Sequence, residues 1–313
     1  MTSHELDAAG IHGESLRSAY AACRRLHATH GRTYYLATRL LPPAKRPYVH
    51  ALYGFARYAD DLVDRLGPTR AGDPEVVSAA ARLESLHDQV IGPAGPGGVL
   101  DRDAAPVVRA VRDTMRRFDL PAGHVADFLD SMRTDLTVTG YRTYDDLAGY
   151  MWGSAAVIGL LVLPVLGTTT DREVAAPYAA DLGLAFQLTN FLRDVGEDLQ
   201  RGRVYLPAED MALFGVDREH LVRGVVDGPV RRLLAHEIAR TREIYRAAEP
   251  GIRLLHADSR DCVRAAFLLY GGILDEIERA DYQVLTGRVT IPARRRLAVG
   301  LPSAARAYLA RRR

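Results

Sequence analysis

Two helical stretches far apart in the chain each carry a pair of aspartates one helical turn apart in an otherwise apolar setting, and few folds can use both. The first reads Tyr53-Gly-Phe-Ala-Arg57-Tyr-Ala-Asp60-Asp61-Leu-Val-Asp64. At about 100° per residue, Tyr53, Arg57, Asp60 and Asp64 project from one narrow face, and Asp61 sits about 70° from its centre in a supporting position. Hard divalent ions take oxygen ligands, commonly one or two carboxylates completed by water and phosphate oxygens, so Asp60, Asp61 and Asp64 are candidate metal ligands. A solvated acidic helix face gives the same pattern. Against that reading, Leu62 and Val63 flank the acids, Tyr53 and Arg57 share their face, and like charges one turn apart repel unless a cation lies between them.

The second stretch reads Gln187-Leu-Thr-Asn190-Phe-Leu-Arg193-Asp194-Val-Gly-Glu197-Asp198, with Gln187, Asn190, Asp194 and Asp198 on one side of a helix. Alone it also reads as an interior polar network. Together the stripes are counterparts: each has an i,i+4 pair of aspartates and a nearby arginine. Facing one another, they would hold a diphosphate through bridging cations, with Arg57 and Arg193 on its outer oxygens. The continuation Arg201-Gly-Arg203-Val-Tyr205-Leu-Pro207 adds two guanidinium groups and a phenol. It either caps the site or ends the helix.

The rest of the chain supports a helical, intracellular reading. Apolar residues recur at three-to-four-residue spacing, without strand-like alternation, between Gly/Pro clusters at Leu66–Pro74 and Ile91–Pro106. Neither cluster has the length of an interdomain linker, so residues 1–313 are read as one all-helical domain. The balance of 41 Lys+Arg against 39 Asp+Glu excludes a strongly basic nucleic-acid binder. Cys23 and Cys262 form no disulfide or zinc pattern. The acidic start, with His4, Glu5 and Asp7, lacks the features of a secretion signal, so a cytoplasmic location is expected. The apolar run from Trp152 to Gly167 is shorter than the roughly 20 residues of a spanning helix, and Pro164 interrupts it; it reads as a buried helix. After Asp281 there is no acid, but Arg288, Arg294, Arg295, Arg296, Arg306, Arg311, Arg312 and Arg313 follow. That basic end reads as a solvated tail or a peripheral contact with anionic lipid.

On these residues the chain resembles the squalene and phytoene synthase family over nearly its full length, roughly Tyr20 to Leu297. Its two aspartate-rich motifs match the stripes, the second including RGRVYLP. His30-Gly-Arg32-Thr33-Tyr34-Tyr35 is similar to the family's diphosphate-binding flap, and Tyr150-Met-Trp152-Gly-Ser-Ala-Ala-Val-Ile-Gly159 to its tunnel helix. Gly31 stands where the flap commonly has Ser, and Ser154-Ala155-Ala156 where the tunnel helix often reads VAG; the latter resembles a variant of bacterial members. The small residues of this helix leave room either for a hydrocarbon or for a close neighbouring helix.

The resemblance implies an all-α isoprenoid synthase fold, a single helical bundle around a deep apolar cavity with the two acid stripes near its mouth. It implies substrate-binding roles for His30, Arg32, Thr33, Tyr34, Arg57, Gln187, Asn190, Arg193, Arg203, Tyr205, Tyr282 and Arg288, and catalytic roles for Tyr53, Arg57, Asp60, Asp64, Asp194 and Asp198. The implied cofactor is Mg2+, with Mn2+ as a substitute. The implied reaction joins two geranylgeranyl diphosphates head to head, through a cyclopropyl diphosphate, to phytoene. Farnesyl diphosphate as substrate, giving squalene or dehydrosqualene, is the alternative. No GxGxxG with a following acid occurs, so no tightly bound nicotinamide is expected. The proton acceptor is left open among released diphosphate, Tyr53 and another tyrosine. Chain elongation is disfavoured, because the second motif has Asn190 and Arg193-Asp194 where FQxxDDxxD would be expected. A catalytically silent scaffold would be expected to have lost its acids, and this chain keeps them.

Overall fold

The computed structural model describes residues 3–64, 72–92 and 104–310. The two Gly/Pro clusters and Arg311, Arg312 and Arg313 therefore fall wholly or largely outside the described residues. Within them the chain is all α: α1 (Ser3–Ala8), α2 (Glu14–His30), α3 (Arg32–Thr38), α4 (Arg46–Asp64), α5 (Pro74–Ile91), α6 (Ala104–Phe118), α7 (Ala122–Thr134), α8 (Tyr144–Met151), α9 (Val157–Leu166), α10 (Arg172–Gln200), α11 (Ala208–Leu213), α12 (Arg218–Val222), α13 (Gly228–Ala248), α14 (Ala257–Arg279) and α15 (Ala293–Ala310). Two isolated bridges, Gly140 with Val204 and Thr168 with Leu255, are the β-type pairings among the described residues.

Local chemistry sets several of these starts. Thr143 accepts from the Asp146 amide while the Asp146 carboxylate accepts from the Thr143 amide, a capping box that opens α8. Asp227 caps α13 in front of a proline in its first turn, where the missing N–H costs nothing. The α8–α9 run continues through one π turn, Trp152–Ala156, a local widening that recurs at functional sites.

That run corrects the length expected from Trp152–Gly167 alone. From Tyr144 to Leu166 it is 23 residues with a window of mean hydropathy 1.8, enough by length and composition to cross a bilayer. Here it packs inside the bundle, with Met151, Ala156, Val157 and Leu161 almost wholly buried, as expected of a core helix. Its small residues serve both uses open in the sequence. A Cβ on Gly159 would lie 2.1 Å from the Ala179 carbonyl oxygen of α10, so glycine permits that helix contact, while Ser154, Ala155 and Gly159 also face an internal cavity.

Two main apolar clusters flank that cavity. One joins α2, α4, α5, α6, α7 and α9 through residues such as Tyr20, Phe55, Leu83, Val111, Leu129 and Leu161. The other joins α10, α13 and α14 through Leu192, Leu233, Ile238, Ile273 and Leu274. The stripe-bearing parts of α4 and α10 lie one on each side.

Candidate active site

The cavity has a volume of about 770 Å³. Its inner wall is aliphatic and small, with Leu41, Val49, Ile158, Val162, Leu163 and Ala266, and its polar end collects the motifs. Tyr53, Arg57 and Asp60 of α4 meet Gln187, Asn190, Arg193, Asp194, Glu197 and Asp198 of α10 there. His30 and Tyr34 of the flap, Arg203 and Tyr205 after α10, and Arg288 complete that end. The periodicity of α10 explains its role: Leu188, Leu192 and Val195 are buried in the protein, which leaves the polar stripe on the opposite side.

Some expected residues are not brought in. Arg32 is exposed and Thr33 half-buried, and neither belongs to the cavity wall, because the first turn of α3 directs Tyr34 inward instead. Tyr282 also stands off the wall; it follows α14 in a left-handed turn, φ 61°, and packs on the α10–α13–α14 cluster. Asp61 is likewise absent from the cavity wall and pairs with Arg57. Asp64 ends α4, and its side chain lies outside the described part of the chain.

The arginines hold the acids directly rather than standing free for an outer phosphate. Arg57 donates to Asp60 at 2.9 Å and also to Asp61. Asp194 receives two bidentate clamps, from Arg193 at 2.7 and 2.6 Å and from Arg288 at 2.7 and 2.7 Å. Arg288 reaches it because the segment after α14 docks on Gly196: the Gly196 amide donates to the Val284 carbonyl at 3.1 Å, and a Cβ there would lie 2.3 Å from the Leu285 oxygen. Burial alone would ease the proton off Arg193, but the hydrogen bonds and charge of Asp194 outweigh it and raise its pKa. Asp198 is buried, with Arg201 at 3.8 Å.

The donor chemistry suits a hard dication, although among the described residues no three acids of the stripes bring ligand atoms within 4.8 Å of one another. The set consists of carboxylate oxygens from both helices, and beside Asp194 the Asn190 side-chain oxygen is buried with no hydrogen-bond partner, an arrangement costly to a protein that never fills it. Tyr34 and Tyr53 stand against this polar end as neutral phenols, since burial pushes both pKa values up. Tyr53 lies flat on the His27 imidazole, centroids 4.0 Å apart.

Two groups on the wall were not singled out from sequence as site residues. Asp135, just beyond α7, is buried in the wall and accepts from Tyr150 at 2.7 Å and Tyr205 at 3.3 Å. No local pattern marks it, because its partners come from later segments. Tyr150 opens the stretch matched to a tunnel helix, and that position was its one signal.

Comparison with known proteins agrees with this architecture. Residues 27–295 match the Squalene/phytoene synthase family profile. A phytoene synthase of Arthrospira platensis is 38% identical over 288 residues, 88% of each chain. A 15-cis-phytoene synthase of Synechocystis sp. is 39% identical over 296 residues, covering 90% of this chain and 83% of the relative. Among solved structures, a dehydrosqualene synthase in complex with ligand superposes with a TM-score of 0.79 at 28% identity, covering 94% of this chain and 97% of the other.

Proposed function

Because the chain belongs to the squalene/phytoene synthase family, we propose that it condenses two geranylgeranyl diphosphates head to head to phytoene, through a cyclopropyl diphosphate, for carotenoid synthesis. The observation that carries this reading is that residues of both acid stripes line one cavity whose inner wall is aliphatic. Relatives that bear the name of this activity share about nine tenths of the chain.

Asp60, Asp61 and Asp64 on one side and Asn190, Asp194 and Asp198 on the other are the groups that would hold magnesium, or manganese in its place. Bound there, the metal would neutralise the diphosphate as it departs and so favour ionisation of the allylic C–O bond. The chain's own part begins with Arg57, Arg193 and Arg288. Each now lies on an acid, and each can turn its planar donor fork to phosphate oxygens once those acids take metal. Gln187, Tyr34 and His30 close the polar end around the diphosphates. Beyond it, Leu41, Val162, Leu163 and Ala266 keep bulk water from the allylic cation while the second prenyl double bond attacks it.

We also propose that the enzyme works in the cytoplasm at a membrane surface. On α15, Arg294, Arg296, Leu297 and Leu301 are exposed together, with Leu297 at 59% and Leu301 at 68%, and basic heads around aliphatic tips suit anionic lipid. Sedimentation with phosphatidylglycerol vesicles but not with phosphatidylcholine vesicles is the expected result, and equal sedimentation with both would contradict it.

The activity is tested by supplying geranylgeranyl or farnesyl diphosphate with magnesium, with and without NADPH, and identifying the extracted hydrocarbon by chromatography and mass. A forty-carbon product with a central triene, formed without NADPH, is expected. A thirty-carbon product from farnesyl diphosphate alone would keep the chemistry and overturn the substrate.

A further inference from the structure

Away from the cavity, two buried acids come together where α11 meets α13. Asp210 of α11 is 6% exposed and Glu237 of α13 is 3% exposed. The imidazole of His236, the residue before Glu237, lies beside them with its side chain 37% exposed and so opens the group to solvent. None of the three lines the cavity. One ligand atom from each, a carboxylate oxygen of either acid and an imidazole nitrogen, lies within 4.8 Å of the other two. His236 Nε2 is 3.6 Å from Asp210 Oδ1. Two atoms bound to one tetrahedral zinc at about 2.0–2.1 Å sit roughly 3.4 Å apart.

A single guanidinium serves both acids without using up their oxygens. Arg240 Nη1 donates at 2.8 Å to Asp210 Oδ2 and at 2.8 Å to Glu237 Oε2. Its Nη2 makes two longer contacts of 3.2 Å, to Asp210 Oδ1 and His236 Nε2. Because arginine can only donate, Nε2 receives that bond and turns its lone pair inward, the form in which imidazole ligates metal. Glu237 Oε1 is shielded from solvent and has no hydrogen-bond partner, a costly state for a buried polar atom. Charge is short as well: Arg240 brings one positive charge to two carboxylates, and bare charge is disfavoured there. Burial first, and the charge of Asp210 with it, pushes Glu237 up to about 7. A dication on Oδ1, Oε1 and Nε2 would balance both acids and satisfy the orphaned oxygen. It would displace only the two long Nη2 contacts, and Arg240 would stay on Oδ2 and Oε2 as an outer partner that orients the ligands. The Tyr144 ring, 4.3 Å from the guanidinium carbon, supports it there.

We propose that Asp210, His236 and Glu237 form a second divalent-cation site, separate from the acid stripes, that takes zinc. An imidazole nitrogen beside two carboxylates favours such an ion over magnesium, which prefers an all-oxygen shell. Position gives the site its role. Asp210 lies three residues after Pro207, at the end of the segment that brings Arg203 and Tyr205 to the cavity. Glu209 beside it accepts from the Tyr144 amide at the start of α8. Zinc tying α11 to α13 therefore anchors that segment, and the site is a structural staple rather than part of the chemistry.

The test uses the full-length protein, stripped with a chelator and then titrated with zinc against a chromophoric chelator at saturating magnesium. One zinc per chain is expected, with a Kd of about 1 μM or tighter. His236→Ala should weaken it at least ~100-fold, since loss of an outer partner alone costs about 10–100-fold. Zinc should also raise the melting temperature of the wild type by at least ~3 °C and leave that of His236→Ala unmoved. Two controls locate the ion. His87→Ala removes the imidazole of the Glu84, His87 and Asp88 group on α5, and Asp60→Asn disables the first stripe; both should bind zinc as the wild type does. No binding tighter than roughly 100 μM would overturn the site. Equal affinity in wild type and His236→Ala, or zinc lost in either control instead, would overturn it too. Glu237→Gln should weaken zinc as His236→Ala does. Should Glu237→Gln lose its helical circular dichroism, His236→Ala decides alone, because its loss leaves the Arg240 pairs with both acids intact.

Discussion

The acid stripe of α4 and that of α10 carry similar residues at similar spacing but are held in different ways. On α4 the acids are served by a neighbour on the same helix: Arg57 reaches Asp60 and Asp61 three and four residues on, and the Asp60 side chain is 39% exposed. On α10, Asp194 is 15% exposed and is gripped by its neighbour Arg193 and by Arg288, drawn in from beyond α14. The first stripe is therefore a local device at the water's edge. The second is assembled by the tertiary fold, and it stores two guanidinium groups against the acid that metal would claim.

The sharpest way to break this contrast is to neutralise one acid on each side. Asp194→Asn strands the buried Arg193, and we expect it to destabilise the protein by about 3 kcal/mol, the cost of breaking a buried pair. Asp60→Asn leaves Arg57 its second acid and should cost less than about 1 kcal/mol, as for exposed pairs. Urea unfolding at neutral pH measures both, and equal costs would remove the distinction.

Acid should strike the α4 side first. His27 and His50, paired through their Nδ1 atoms at 2.9 Å beneath Tyr53, are kept neutral mainly by burial, which pulls His27 down to about 3 and His50 to about 2. The unfolded chain takes up protons that the folded chain refuses, so their contribution is complete above the usual imidazole pKa near 6.5 and is lost as pH falls toward 3. We expect stability to drop by about 2 kcal/mol between roughly pH 6.5 and 5, with a smaller drop in His50→Phe. A pH-independent melting temperature over that span would contradict it.

A modest effect on substrate binding is expected from the long-range clamp. Arg288→Ala should raise KM for prenyl diphosphate about tenfold, roughly 1.4 kcal/mol, because Arg193 remains to meet phosphate. An unchanged KM would show that Arg288 only restrains Asp194.

The same contrast explains what could be read in advance. Helical periodicity with i,i+4 acids marked both stripes, and with them the helices and their polar faces, while the joint cavity was implied by the family resemblance. What stayed hidden depends on chain segments that meet only after folding. Nothing near Asp135 predicts Tyr205, and nothing near Asp194 predicts the docking of Leu285 on Gly196. Arg32, Thr33 and Tyr282 show the converse: residues within or beside matched motifs can stand off the wall once a helix start or a left-handed turn fixes their direction.

The central claim is that the two stripes act on one diphosphate as a unit. The most direct test is the turnover of geranylgeranyl diphosphate by Asp60→Asn, Asp194→Asn and the double variant at saturating magnesium, each with its helical content verified. The account predicts that either single change abolishes turnover, by at least ~1,000-fold, and that the double change is no worse than either alone. Full activity in either single variant would contradict it.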